Sequence, residues 1–381
     1  EGCTYSESFE IDEPDPLTIV YDTKQDVSCF GGADGSISVT VNGGTPFVDP
    51  NDSSVIDYDF TITKDGQNFT SFIETYNGSN SFTLSSLTAG TYTVVVTDQN
   101  NCEADQIIEV IIEEPQAITY TVDQTALLDC YGDSDGEITI TLSGGTPGYS
   151  LSLTGTSTAS GSISSDGGSY TFTDLTAGTY SITIQDANFV SSPSGCDVTT
   201  EPLIINEPEE LIISNLSATE ILCNADETST ISGTISGGTS NYEIVLIGPG
   251  VNEVSSDNTG SINFTDLGAG TYTVQVSDAN SATGGSGCYV EQSITIEEPD
   301  QLSINQNGSE VDVTCFGENT GSFQVSVSGG TPAYIFTATD LDSNSIGDPV
   351  EVSTNIFEWS ALYAGTYTVV VTDQNNCEAD Q

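Results

Sequence analysis

The 381 residues carry 57 Asp and Glu against two basic residues, Lys24 and Lys64, with no His, for a formal net charge of −55. Nucleic acid and anionic lipid are bound through clustered Lys and Arg, so neither is an expected partner. Hydrophobic residues make up 36% and fall in short β-branched runs, so the acidity decorates a folded chain, and its length calls for several domains.

Residues 1–14 have neither a basic stretch nor an apolar core and do not read as a signal peptide. Cys3 to Pro14 instead aligns without a gap with Cys288 to Pro299, so 1–14 is expected to be the last strand of a preceding repeat. Four units follow, at 15–114, 115–207, 208–298 and 299–381. A C-[FYN]-[GA] turn recurs at Cys29, Cys130, Cys223 and Cys315, about 92 to 101 residues apart, which is one β-sandwich. Gly-Gly-Thr recurs from Gly43, Gly144, Gly237 and Gly329, and Ala-Gly-Thr-Tyr from Ala89, Ala177, Ala269 and Ala364. A D-x-N turn and then a cysteine follow, and Glu-Pro pairs end at Pro14, Pro115, Pro208 and Pro299. Residues 366–381 repeat 91–106 letter for letter, after which repeat one continues IIEVIIEEP; repeat four therefore reads as lacking its last strand. More such units are expected in a longer parent chain. The longest apolar run, Ile107 to Ile112, is interrupted by Glu109 and is far short of the roughly 20 residues of a membrane span, so no insertion into a membrane is expected.

Within each unit the apolar residues alternate, as in Ile37, Val39 and Val41, the signature of half-buried strands. Repeat one reads as LTIVYDT, GSISVTV, YDFTITKDG, QNFTSFI, NSFTLSSL, GTYTVVVTD and ADQIIEVII. Seven short strands separated by Gly, Asn and Asp turns predict an all-β chain of tandem immunoglobulin- or fibronectin-III-like sandwiches. L-x-A-G-T-Y places Tyr92, Tyr180, Tyr272 and Tyr367 as tyrosine corners near the start of the sixth strand.

The run C-x-G-x-x-D-G-S-I, then G-G-T-P, L-x-A-G-T-Y and D-x-N-x-C resembles the SprB-type repeat of bacterial gliding-motility surface adhesins. Repeats one and two fit it best; repeat three has GGTS in place of GGTP and lacks the D-G turn. The resemblance implies a very large, exported, filamentous adhesin of Bacteroidota-like bacteria, and supplies no ligand.

Nine cysteines without C-x-x-C spacing, in a chain lacking His, point to disulfides in an oxidising compartment rather than to zinc. Each unit has one cysteine before its second strand and one after its sixth. These two strands run the same way, so the two cysteines sit at opposite poles, about 20 to 25 Å apart, whereas a disulfide needs Cα atoms within about 7 Å. Pairing between neighbouring units follows: Cys29 with Cys196, Cys130 with Cys288, and Cys223 with Cys377. Pairing within a unit, as in Cys29 with Cys102, is the alternative. Both leave Cys3 without a partner in this chain.

The linkers EEPQ, INEPEE and EEPDQ are short and hold proline, which limits hinge motion. Carboxylates crowd them, and Glu114, Glu207 and Glu298 could meet Asp98, Asp186, Asp278 and Asp373 from the opposite poles to bind calcium at the junctions. Asx-turn hydrogen bonding is the competing role for these aspartates. Catalysis is not expected, since there is no His for a Ser or Cys dyad and no Arg for phosphate. The leading reading is an extracellular structural stalk of a cell-surface adhesin, whose partners are further repeats of the same chain, like filaments or surface polysaccharide. Repeats that themselves bind carbohydrate multivalently, or spacers of a secreted hydrolase, are the alternatives. Short proline linkers predict an extended rod, which small-angle scattering checks; a compact, near-spherical particle would contradict it.

Overall fold

Alternation becomes sheet wherever a strand finds a partner edge. In the computed structural model, all residues are described except 1, 50–51, 79, 190–195, 258, 282–287, 307–308, 349 and 380–381. Repeat one contains β1 (Thr18–Gln25), β2 (Gly35–Asn42), β3 (Phe47–Asp49), β4 (Asp52–Asp57), β5 (Asp59–Lys64), β6 (Gln67–Asn68), β7 (Ile73–Gly78), β8 (Ser81–Leu87), β9 (Gly90–Thr97) and β10 (Ile108–Ile112). Repeat two contains β11 (Thr119–Gln124), β12 (Gly136–Ser143), β13 (Tyr149–Gly155), β14 (Ala159–Ile163), β15 (Ser169–Leu175), β16 (Gly178–Gln185), β17 (Asp197–Thr199) and β18 (Leu203–Ile205). Repeat three contains β19 (Ile212–Ala218), β20 (Ser229–Ser236), β21 (Tyr242–Gly248), β22 (Val251–Asp257), β23 (Ser261–Leu267), β24 (Gly270–Ser277) and β25 (Tyr289–Ile296). Repeat four contains β26 (Ser303–Gln306), β27 (Gly321–Ser328), β28 (Tyr334–Asp340), β29 (Val350–Val352), β30 (Ile356–Leu362) and β31 (Tyr367–Thr372). The fold is all-β.

In repeat one the sheets are β1-β2-β8-β7 and β10-β9-β5-β6, the two-sheet order of an immunoglobulin-like sandwich. Their inward faces supply a core that includes Ile37, Val39, Val41, Phe82, Leu84, Tyr92 and Val94. QNFTSFI is not one strand as expected: it divides into β6, which pairs with β5, and the start of β7, which pairs with β8. Repeats two to four place the strand after the third one differently. There β14, β22 and β29 pair with β13, β21 and β28, leaving three strands in the opposite sheet. Each strand before the Ala-Gly-Thr-Tyr turn has a bulge, with Ser86, Asp174, Asp266 and Ala361 at positive φ just ahead of a buried leucine. The sole tryptophan, Trp359, is a core residue, 4.6 Å from Phe357 and 5.1 Å from Phe323 between ring centres.

The chain divides into two units: one of Glu1–Leu127 with Ser134–Asn206, the other of Leu128–Asp133 with Glu207–Gln381. Residues 2–16 form no strand, since they meet no partner edge, and Tyr5, Phe9 and Ile11 on them are exposed.

Edge strand β7 of repeat one carries Glu74. Its carboxyl is pushed up from 4.5 to about 8, first by burial, then by the hydrogen bond with Asp57 and the charges of Asp57 and Asp59. Across that interval the folded chain holds a proton that the unfolded chain has released, so stability falls as pH rises from about 4.5 to 8 and levels off above it. Glu74→Gln is expected to flatten this decline, read as amide exchange in β7 and β8 at pH 5 and pH 8; an unchanged pH dependence would refute it.

Candidate functional site

Each repeat has two poles, and the recurring motifs gather there. At one pole lies the cysteine turn. The residue two after cysteine, Gly31, Gly132, Ala225 or Gly317, has positive φ, which explains the C-x-[GA] pattern. The N–H of this residue is met by the glutamate that precedes the linker proline. Gly31 donates to Glu114 at 2.6 Å, Gly132 to Glu207 at 2.8 Å and Ala225 to Glu298 at 2.6 Å.

At the other pole the D-x-N turn meets the Gly-Gly-Thr loop. Asp98 accepts the N–H groups of Thr45, Asn100 and Cys102 at 2.9, 2.9 and 3.0 Å. Asp186 accepts those of Thr146 and Asn188, and Asp278 those of Thr239 and Asn280. Asp373 accepts those of Thr331, Asn375 and Cys377. All four aspartates are buried. The N–H groups of Cys102 and Thr45 hold the Asp98 carboxyl below the usual carboxylate range.

A second tyrosine series, not singled out from the sequence, braces the same loop. Tyr58, Tyr149, Tyr242 and Tyr334 donate their hydroxyls to the carbonyls of Gly43, Gly144, Gly237 and Gly329. The signal was a tyrosine five residues after the first glycine, hidden in repeat one by the inserted β3 and β4. That first glycine is obligatory: at Gly144, with φ +81, a Cβ would lie 2.2 Å from the Ala117 carbonyl oxygen. The expected corner tyrosines bond as a separate set. Tyr92, Tyr180, Tyr272 and Tyr367 donate to the carbonyls of Thr88, Thr176, Gly268 and Tyr363 at 2.8 to 3.0 Å.

The poles then meet. Asn188 Nδ2 donates to the Ser28 carbonyl at 2.9 Å, Asn280 Nδ2 to that of Asp129 at 2.9 Å and Asn375 Nδ2 to that of Leu222 at 3.3 Å. In each case the acceptor immediately precedes a cysteine. The structure joins Cys29 to Cys196, Cys130 to Cys288 and Cys223 to Cys377, with Cα separations of 5.1, 5.2 and 5.5 Å, inside the ordinary disulfide range. Cys3, Cys102 and Cys315 are exposed thiols. The linker is fixed at both ends as well. Glu114 takes the Gly31 N–H while the Gln116 carbonyl, two residues on, takes that of Gly145 at 2.7 Å. Glu207 and Glu209, then Glu298 and Asp300, do the same for the later linkers.

Among the described residues, one group of three candidate metal ligands has its atoms within 4.8 Å: Cys29, Asp186 and Cys196. Both sulfurs belong to the disulfide, so no thiolate is present there. The carboxylates expected to hold calcium have backbone N–H partners: Asp98, Asp186, Asp278 and Asp373 in the hairpin turns, and Glu114, Glu207 and Glu298 at the cysteine turns.

A model of the SprB repeat family matches residues 22–49, 128–158 and 307–342, stretches that each run from a cysteine turn through a Gly-Gly-Thr loop. These three stretches match the SprB repeat. No curated protein matches these repeats by sequence. Among solved structures, they are similar to Sidekick-1 immunoglobulin domains 1-5, at 14% identity and a TM-score of 0.30, over 93% of this chain and 86% of that one. They are also similar to the ICAM-5 D1-D4 ectodomain fragment, at 11% identity and 0.35, over 96% and 97%. Chicken CNTN1 FN1-FN3 domains follow at 13% identity and 0.23, over 74% and 98%. Overlays this loose add nothing to the topology described above.

Asp186→Ala removes the acceptor of two amides at a stapled pole, at a cost of about 2 kcal/mol for charge-assisted hydrogen bonds. Thiol reduction of Cys29–Cys196 is then expected to quicken by roughly tenfold or more, with Cys223–Cys377 unchanged and Asp186→Asn intermediate. Mapping with an acid-directed protease reads this out, because only Lys24 and Lys64 offer tryptic sites.

Proposed function

We propose that this chain is a load-bearing stalk segment of a large extracellular surface adhesin and has no catalytic role. The carrying observation is the contact built three times over: a disulfide, an asparagine bond to the carbonyl beside it, and a Glu-Pro-x linker bonded at both ends. Such contacts resist bending and sliding. The SprB family match supports a surface adhesin, and gliding motility is the process that family suggests. Disulfides fit an oxidising, extracellular setting. No helix among the described residues is long and apolar enough to cross a membrane. Surface carboxylates without balancing cations keep neighbouring stalks apart by mutual repulsion.

A stalk under load should be short-circuited by its disulfides. Pulled from end to end, the oxidised chain has a covalent path that runs from the N-terminus to Cys29, across to Cys196, along to Cys223 and across to Cys377. At about 3.6 Å per residue this path reaches only about 200 Å, against about 1,400 Å for the reduced chain. Single-molecule force spectroscopy with and without reductant checks this. Equal final extensions in the two conditions would rule out a load-bearing role for the staples.

A further inference from the structure

The first stapled junction holds more than its disulfide. The atoms of Cys29, Asp186 and Cys196 that could bind a cation lie within 4.8 Å of one another, and all three residues are buried. The corresponding sets at the later junctions, Cys130 and Cys288 with Asp278, and Cys223 and Cys377 with Asp373, do not come so close. The Asp186 carboxylate accepts the N–H groups of Thr146 and Asn188 at 2.9 Å, one on each oxygen, which leaves a lone pair on both. Amides match its lone pairs but not its charge, and a carboxylate so buried is ordinarily paired with a cation or bound to a metal. Among the described residues no side-chain cation balances it: Lys24 is engaged by Asp26 and Glu113, and Lys64 by Thr88. In repeat one, the Cys102 thiol donates a hydrogen bond to the Asp98 carboxylate, so this turn brings sulfur and carboxylate together without a disulfide.

Reduction leaves these three groups side by side. The two poles are tied independently of the sulfurs, by the Asn188 bond to the Ser28 carbonyl at 2.9 Å and by the linker, whose Glu114 and Gln116 hold the N–H groups of Gly31 and Gly145. Two sulfurs bound to one tetrahedral zinc at about 2.3 Å lie about 3.8 Å apart, against about 2 Å in a disulfide, so each sulfur moves by only about 0.9 Å. Two thiolates and one carboxylate suit a soft or borderline divalent cation such as zinc, whereas calcium takes six to eight oxygens. A ligating carboxylate is normally held by hydrogen bonds of its own, and the amides of Thr146 and Asn188 supply them here.

We propose that the first junction is a redox-gated metal site, in which Cys29, Cys196 and Asp186 bind one zinc or similarly soft divalent cation once their disulfide is reduced. A thiol reductant supplies the two electrons: two RSH become RS–SR, the bond between Cys29 and Cys196 breaks, and each sulfur takes up one proton. The cation then displaces both protons to solvent and takes its third ligand from Asp186, with water in the fourth position. Because two protons leave, affinity rises with pH. The junction thereby keeps a cross-link in the state that has lost the sulfur bond. This inference does not depend on the stalk reading.

The test uses the full chain, with the exposed thiols of Cys3, Cys102 and Cys315 alkylated before the disulfides are reduced. Zinc alone is the probe, added to the reduced and desalted chain. A second alkylating reagent of different mass then reports each remaining cysteine after digestion with an acid-directed protease. Zinc is expected to slow alkylation of Cys29 and Cys196 at least tenfold, at a lower concentration than protects Cys130, Cys288, Cys223 or Cys377, and a chelator should reverse the effect. Calcium at the same concentration should protect none of them. Asp186→Asn keeps the side-chain shape but offers a much weaker ligand, so the ratio of rates without and with zinc should fall at least fivefold there. Amide exchange in β12 and β15 of the metal-free reduced chain should be the same with and without that substitution. An unchanged ratio in the variant would overturn the proposal. Should the variant lose its fold, the unaltered chain still decides: absence of protection, or protection of all six cysteines at one zinc concentration, would mark nonspecific thiol binding and overturn it as well.

Discussion

A buried aspartate at the tip of each sandwich organises what surrounds it. Its carboxylate gathers the N–H groups of two loops, the D-x-N hairpin and the Gly-Gly-Thr turn, that lie some forty to fifty residues apart in sequence. A carboxylate in so little contact with water persists only if its lone pairs are matched, and backbone amides match them in all four repeats. With the hairpin held in that shape, the asparagine two residues on is aimed outward and the following cysteine is set beside it. The reach of Asn188 to the Ser28 carbonyl, and the 5.1 Å approach of Cys29 and Cys196, both follow from where that aspartate puts the hairpin.

Much of the sandwich could be read from residues alone because its causes are local. Alternation in GSISVTV or GEITITL states which face is buried, and the Gly-Gly-Thr and Ala-Gly-Thr-Tyr turns state where strands end. Spacing also brings out the cysteines and the four aspartates. The partners of those aspartates were not legible. Nothing in D-x-N names Thr45 or Thr146 as the donors, since that bond forms only once the sheets are stacked. Likewise β7 and β14 are similar short polar strands, yet one pairs with β8 and the other with β13. The length of the preceding connection does not decide it either: Asp340 to Val350 in repeat four is as long as Lys64 to Ile73 in repeat one, and β29 still pairs with β28.

Departures from the repeat consensus show what the motif positions are for. Repeat three has Ala225 where the others have glycine, and the backbone still takes φ +62 there, with its N–H held by Glu298 at 2.6 Å. The hydrogen bond therefore outweighs the modest cost of placing a Cβ in the left-handed region. In repeat four, Phe316 and Val311 stand exposed around the cysteine turn and Tyr367 is only partly covered, although it keeps its bond to the Tyr363 carbonyl. The corner tyrosine thus sets the turn locally, while burial of the ring depends on the closing strand.

The three disulfides close loops that overlap in sequence: 29–196, 130–288 and 223–377. Every peptide bond from Cys29 to Cys377 is therefore bypassed by at least one sulfur bridge. A single proteolytic cut anywhere in that span leaves the molecule covalently in one piece, as a severed link does in a fabric with redundant threads. This redundancy converts backbone cleavage from a break into a local scar.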